Sequence, residues 1–206
     1  MTVTAIEEIT KTRSRVYLDD AFAFVLYKGE LRKYHMETGR DVDAETVREL
    51  QTKILPKRAR LRAMNLLKTG RYTEKQLLDK LLAGGYGQEL AEDAVAYVKS
   101  YRYVDDRQYA SDYIMCRMGR CSLREIEQKL FQKGIGRELF RAVLEELEAD
   151  EAVPDEEAAV RRLMEKKHFM AAGNDEKEAR RIYGYLCRKG FSPELVRRVM
   201  RGREEC

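Results

Sequence analysis

Tryptophan is absent, and the 206 residues include only 3 Pro, 2 His and 4 Cys. Each shortage closes off a class of protein. Cys116, Cys121, Cys187 and Cys206 form no C-x-x-C pair, and only His35 and His168 could join them. Zinc needs ligand pairs at short spacing, so no metal site is expected. Cys187 takes the helical position that Leu82 and Phe131 hold in related segments, which reads as a buried apolar residue. Cys206 is terminal and reads as exposed and incidental. Two histidines far apart disfavour imidazole acid–base chemistry. The phosphate-loop, nucleophile-elbow and H-E-x-x-H patterns are all missing. Gly84-Gly85-Tyr86-Gly87 lacks the strand before it and the basic residue after it that a phosphate cradle needs. Asp105-Asp106 reads as a helix cap rather than a metal pair. The expectation is a protein with no cofactor and no enzymatic activity.

No run approaches the roughly 20 apolar residues that would cross a bilayer. The N-terminus, MTVTAIEEITKTR, lacks the basic-then-apolar layout of a secretory signal. These point to a cytoplasmic chain with no membrane partner. A composition 44% hydrophobic and 37% charged is that of a folded, helix-leaning protein.

Net charge is only +4, yet it is unevenly spread. Residues 57–80 carry eight basic residues against Glu74 and Asp79. Residues 117–141 carry seven against Glu125, Glu127 and Glu138. Residues 145–157 carry eight acids and no base. Basic blocks flanking an acidic connector suit an anionic partner, although solvated helix faces look the same.

The N-terminal part differs from the rest. Residues 15–18 and 22–27 are rich in β-branched and aromatic residues, with Asp19-Asp20 between them, and predict a hairpin. Residues 29–35 predict a short helix. Asp43 caps a predicted helix from Ala44 to Leu55, ended by Pro56. Beyond that point apolar residues recur at helical spacing, as in Leu77, Leu78, Leu81 and Leu82, then Leu90, Ala94, Val95 and Val98.

One phrase then returns. KLLAGGYGQEL at 80–90 matches KLFQKGIGREL at 129–139, and YLCRKGFSPEL at 185–195 is a fainter copy. Gly85, Gly134 and Gly190 each follow an amphipathic segment, where glycine enters the left-handed conformation without a Cβ clash. Tyr86, Ile135 or Phe191 comes next and can fold back onto the last turn. Thr73-x-x-Gln76 and Ser122-x-x-Glu125 fit the capping box, and Asp175-x-x-Glu178 is an acidic equivalent. Asp105 and Asp106 cap the segment carrying Tyr109, and Ser192-Pro193-Glu194 opens the last helix. The phrase is therefore the corner between two helices of a three-helix unit. The fold class is mainly α: tandem three-helix repeats in an elongated array, preceded by a small N-terminal β-hairpin and helix region. The boundaries are 1–56 for that region, 57–104 for repeat 1, 105–149 for repeat 2 and 150–206 for an acidic connector plus repeat 3. A DNA-reading helix-turn-helix also contains a glycine turn. Here the helices after Gly85 and Gly134 carry Glu89, Glu92, Asp93, Glu145 and Glu146, which phosphates would repel.

These residues resemble the RecX family of RecA recombinase regulators. The likeness lies in Tyr103-Val104-Asp105-Asp106 with Tyr109-Ala110, in Ser122-Leu-Arg-Glu-Ile126, and in Gln128-Lys-Leu130 with Lys133-Gly134-Ile135. It is strongest over 60–147. The third unit departs most, with a longer stretch from Lys167 to Asn174. The resemblance implies tandem three-helix repeats in a curved molecule bound along the RecA–single-stranded DNA filament. It implies inhibition of filament extension, ATP hydrolysis, strand exchange and co-protease activity. It also implies contact with single-stranded DNA through the filament, and the expected state is a monomer. The candidate binding surface is Arg117, Arg120, Arg124, Lys129, Lys133 and Arg137 of the middle unit, supported by Arg60, Arg62, Lys68 and Arg71. Tyr103, Tyr109 and Tyr113 are expected in the core rather than stacked on bases. Two other readings remain open: a protein that binds nucleic acid directly, and a helical-repeat scaffold for another protein.

Overall fold

A computed structural model describes residues 1–149, 155–167, 169 and 176–201. The cap at Asp175, the terminal Cys206, His168, most of the stretch from Lys167 to Asn174 and the centre of the acidic connector lie outside the described residues. The chain divides into two compact units, Met1–Asp105 and Asp106–Cys206.

The first unit opens with three antiparallel strands: β1 (Val3–Thr10), β2 (Arg13–Leu18) and β3 (Ala21–Tyr27), in that order across the sheet. The predicted hairpin is β2–β3. Asp19 and Asp20 both take positive φ, at 48° and 65°. That is the type I′ turn, whose twist matches the strands it joins. β1 was not anticipated. It pairs Val3 with Leu18 and Ile6 with Val16, and of its residues only Val3 is buried. Met1, Thr2 and Val3 are also tied to the loop at 40–42: Val3 N–H donates to the Arg40 carbonyl and Val42 N–H to that of Met1.

Short helices follow, α1 (Lys28–Lys33) and α2 (Ala44–Glu49), the latter capped by Asp43 accepting from the Thr46 amide at 2.6 Å. Pro56 does not end the helical run, contrary to expectation. A π-helical turn spans Leu50–Ile54 and leads straight into α3 (Leu55–Thr69), with Pro56 in its first turn. Inside a continuing helical run Pro56 has no N–H to bond the preceding turn, and the π-helical turn just before it is where that irregularity is taken up. Val3, Val16, Leu26, Met36, Val47 and Leu50 form one core under the sheet.

α3 packs with α4 (Glu74–Ala83) and α5 (Gln88–Ser100) around a second core that includes Ala63, Leu77, Leu81, Ala94 and Val98. The Thr73–Gln76 capping box is complete, each partner bonding the other's amide at 3.2 Å.

In the second unit α6 (Asp106–Arg117), α7 (Leu123–Gln132) and α8 (Arg137–Ala149) enclose Ile114, Ile126, Leu130, Ile135 and Phe140. α9 (Glu156–Lys166), α10 (Glu176–Arg188) and α11 (Pro193–Arg201) enclose Val160, Met164, Ile182, Leu186 and Phe191. Ser122 caps α7, accepting from the Glu125 amide at 3.2 Å, but the expected box is only half made. Its own amide donates instead to the carbonyl of Lys189, at 3.1 Å. Cys187 is half-buried rather than buried, and Cys121 is the buried thiol.

The glycine corners behave as the sequence implies. Gly85, Gly134 and Gly190 have φ of 86°, 95° and 84°. In each, the next residue's amide bonds a carbonyl five back: Tyr86 to Leu81, Ile135 to Leu130, Phe191 to Leu186. This is the Schellman helix end. Ile135 and Phe191 are buried behind it.

Candidate functional site

α3 runs from Leu55 to Thr69 with Lys57, Arg58, Arg60, Arg62 and Lys68 and no acid. Helical spacing sends these cations to different faces. Arg60 makes two hydrogen bonds to Asp93, at 3.0 and 3.1 Å, and lies 4.8 Å from the centre of the Tyr97 ring. Arg62 and Lys68 are exposed and have no acid partner among the described residues. Arg71 is exposed in the link to α4.

In the middle helices, Lys129 pairs with Glu125 at 3.3 Å and Arg137 with Glu127 at 3.7 Å. Lys133 is half-buried, its ammonium 5.8 Å from the ring centres of both Tyr109 and Tyr113. Arg117 is 5.5 Å from the Tyr113 ring. Arg117, Arg120 and Arg124 are exposed and lack an acid partner among the described residues. The structure thus splits eight of the ten candidates. Arg60, Lys129 and Arg137 are held by carboxylates. Arg62, Lys68, Arg117, Arg120 and Arg124 keep their charge facing outward.

Cys121 marks where the middle helices meet the third set. Burial pushes its thiol pKa up, with Glu125 adding to the shift, while Lys189, Arg117 and Lys129 pull the other way. The N-terminus of α7 is occupied from the third set, since the Leu123 amide donates to Glu156 Oε1 at 2.8 Å.

Sequence reasoning missed two features. The first is Arg58. Its side chain is 15% exposed, ion-paired to Glu30, and bonded to the Val25 carbonyl. Its guanidinium sits 5.0 Å from the Tyr27 ring centre and 5.5 Å from that of Tyr86, beside a cleft of 430 Å³. Pairing and stacking of this kind suit arginine and not lysine. Nothing local in the sequence separates it from its solvated neighbours. The second is the third set itself, where Arg188, Arg197 and Arg201 are exposed without an acid partner among the described residues. Extending the charge count past residue 185 would have found them.

Tyr109 and Tyr113 pack against the α6–α8 core, as expected. Tyr103 does not: it is 59% exposed, and Tyr101 is 57% exposed. Tyr103 follows the last turn of α5, and its amide bonds back to Val98, so the ring is carried outward.

Among the described residues no three His, Cys, Asp or Glu side chains gather as a metal site would require, and no helix is long and apolar enough to cross a membrane. Helices joined by repeated glycine corners and faced with outward cations define a mainly helical protein with basic faces. Comparison with known proteins makes this specific. Residues 155–200 match the family model described as RecX, third three-helix domain. A regulatory protein RecX of Caldanaerobacter subterraneus subsp. tengcongensis is 30% identical over 186 residues, 90% of either chain. One of Clostridioides difficile is 25% identical over 203 residues, covering 96% of this chain and 93% of that one. A crystal structure of regulatory protein RecX shares the fold, with a TM-score of 0.60, 21% identity and coverage of 96% of this chain and 98% of that one. The chain belongs to the RecX family of regulatory proteins.

Proposed function

We propose that this chain is a non-enzymatic inhibitor of the RecA recombinase. It binds along the RecA–single-stranded DNA filament and limits filament extension, ATP hydrolysis, strand exchange and co-protease activity. The observation that carries the reading is family membership across nine-tenths of the chain. Physical chemistry supports it: a chain with several outward cations can act by occupancy alone, and weak contacts linked in one molecule add up to tight binding. In this reading the helices act as three repeats, 57–104, 105–149 and 150–206, after an N-terminal region 1–56. The chain works as a cytoplasmic monomer. Arg117, Arg120 and Arg124 lead the contacts of the second unit, and Arg62 and Lys68 those of the first. Arg71, Lys129, Lys133, Arg137 and Arg60 support it, several of them releasing an internal partner to do so.

The test is RecA ATP hydrolysis on single-stranded DNA with the chain titrated up to equal RecA. Inhibition at substoichiometric amounts is expected. Arg117→Glu/Arg120→Glu/Arg124→Glu is expected to abolish it with an unchanged melting curve. No effect of the wild-type chain at equal amounts rejects the function. Full inhibition by the triple variant rejects the surface. A direct nucleic-acid-binding protein would instead bind bare DNA much tighter than about 10⁻⁵ M, with a steep salt slope. A scaffold would recover a different dominant partner and no RecA from lysate.

A further inference from the structure

The C-terminal end of α5 carries an unusual run of planar groups. Arg60 of α3 lies 4.8 Å from the centre of the Tyr97 ring. Tyr97 and Tyr101 are 5.0 Å apart, tilted by 56°. Tyr101 and Tyr103 are 6.1 Å apart and nearly parallel, at 17°. The series guanidinium, ring, ring, ring is continuous, and its last two members are more than half exposed. Large aromatic side chains gain most by burial, since each can remove about 150–250 Å² from water. Two such rings left outside the core, stacked on each other, are the reverse of what packing alone would select.

The backbone adds an independent observation. Tyr101 ends α5, and Arg102 takes φ of 57°. Its amide bonds Lys99 and that of Tyr103 bonds Val98, the same corner that Gly85, Gly134 and Gly190 make. At those three corners glycine fills the left-handed position. Here an arginine fills it, although the left-handed conformation is unfavourable for a residue with a Cβ. Arg102, which separates Tyr101 from Tyr103 in the sequence, is exposed and has no acid partner among the described residues.

We propose that Tyr101, Tyr103 and Arg102, extended by Tyr97 and Arg60, form a stacking surface for unpaired bases of single-stranded nucleic acid. The two outer rings receive bases face-on, because stacking accepts any base and asks only for an exposed π-face. Arg102 meets a backbone phosphate of the same strand. The nearby charges are otherwise balanced: Arg60 is held by Asp93, Lys99 pairs with Glu74 at 2.7 Å, and Asp105 is exposed next in the chain. The surface therefore binds by stacking more than by Coulomb attraction, and its salt slope is shallow, near that of one or two phosphates. The inference deepens the reading above by assigning the strand contact to this corner. It does not place the strand contact on the basic helices.

The full-length chain is titrated into fluorescently labelled dT20 without RecA, at about 50 mM salt, where phosphate contacts still hold. Intrinsic tyrosine emission is a second readout, since there is no tryptophan to mask it. Tyr101→Ala/Tyr103→Ala is expected to weaken dT20 binding about tenfold or more. Tyr101→Phe/Tyr103→Phe is expected to stay within about twofold, because the π-face is kept. Arg102→Gly is expected to raise the melting temperature, as the strain is relieved, yet weaken dT20 binding. Binding to duplex of equal length is expected to be unmoved by the tyrosine variants. Wild-type affinity in the double alanine variant overturns the inference. So does loss of RecA inhibition with dT20 binding intact, which would make the corner a protein-docking surface. A wild-type chain that inhibits RecA but does not bind dT20 overturns the stacking surface alone. A chain that binds dT20 through these tyrosines without inhibiting RecA removes the regulator reading and leaves the surface standing.

Discussion

The corners at Gly85 and Gly190 share a backbone and differ in what they lean on. At Gly85 the neighbour is the sheet. A Cβ there would come within 2.7 Å of Val25 Cγ2, and Arg13 of β2 donates to the Gly84 carbonyl at 2.9 Å. At Gly190 the neighbour is another helical set. A Cβ would come within 2.4 Å of Ser122 Oγ, and the Ser122 amide donates to the Lys189 carbonyl. The same phrase thus ends a helix in both places and also supplies a flat, side-chain-free face for docking. One docks on a strand, the other on the cap of α7. A repeat that recurs in sequence need not recur in its environment. What recurs is the local solution to a helix end.

This comparison breaks most sharply at the glycines. Gly190→Ala combines left-handed strain with overlap against Ser122, and about 2–5 kcal/mol of stability is expected to be lost. Gly85→Ala is expected to fall in the same range, since Val25 belongs to a paired strand and cannot easily withdraw. Gly39→Ala, at φ 84° with nothing close to an added Cβ, carries the backbone term alone and is expected to cost about 1–2 kcal/mol. Urea unfolding of the three variants measures this. Equal costs at Gly39 and Gly190 would mean that docking adds nothing. Adding Ser122→Ala to Gly190→Ala sharpens the point. Alone it removes a cap worth about 1 kcal/mol, whereas in the glycine variant it also relieves overlap, so the two changes are expected to be less than additive.

The sheet-backed corner has a second support in Arg58, which bridges Val25 of β3, Glu30 of α1 and the Tyr86 ring just after Gly85. Arg58→Ala leaves a largely buried carboxylate unpaired and a carbonyl unbonded. A loss of about 2–3 kcal/mol is expected, little changed by salt because the pair is mostly shielded from solvent. Arg58→Lys is expected to recover only part of it. An exposed control, Arg62→Ala, is expected to lie within about 0.5 kcal/mol of wild type. If Arg58→Ala matched that control, the bridge would be ornamental.

The sequence made the corners legible because glycine marks the left-handed position, and made the helices legible because their buried stripes keep the 3.6 period. Where another residue takes the same conformation, the signal vanishes. His35 and Arg102 have φ of 51° and 57°, yet neither looks like a helix stop. That is why the exposure of Tyr103 at such a corner has no signal in the sequence. β1 escaped for a different reason: with one buried residue it shows no alternation, and its pairing is specified by β2. Pro56 misled because a proline in the first turn of a helix and a proline beyond the end of one look alike. For the candidate surface, sequence could count cations but not divide them. Arg60 and Arg62 read the same in one dimension, and only Asp93 across the helix pair tells them apart.

The smallest expected effect tests the Gly85 corner through pH. Tyr86 follows the glycine and is half-buried, and its pKa is raised above the usual tyrosine value, by burial first, with Tyr27 adding and Arg58 opposing. A raised folded-state pKa means that the unfolded chain ionises first. The stabilising contribution is whole below the unfolded value, near pH 10, and declines as pH rises through the folded value. The wild-type melting temperature is therefore expected to fall from about pH 9.5 upward more steeply than that of Tyr86→Phe. At neutral pH the phenylalanine variant keeps the ring over Arg58 and is expected to melt within a few degrees of wild type. The Gly190 corner offers a built-in control, because Phe191 occupies the matching position and has nothing to ionise. If Tyr86→Phe leaves the alkaline limb unchanged, the decline arises elsewhere, and burial of Tyr86 against the sheet is too slight to set that corner apart from the others.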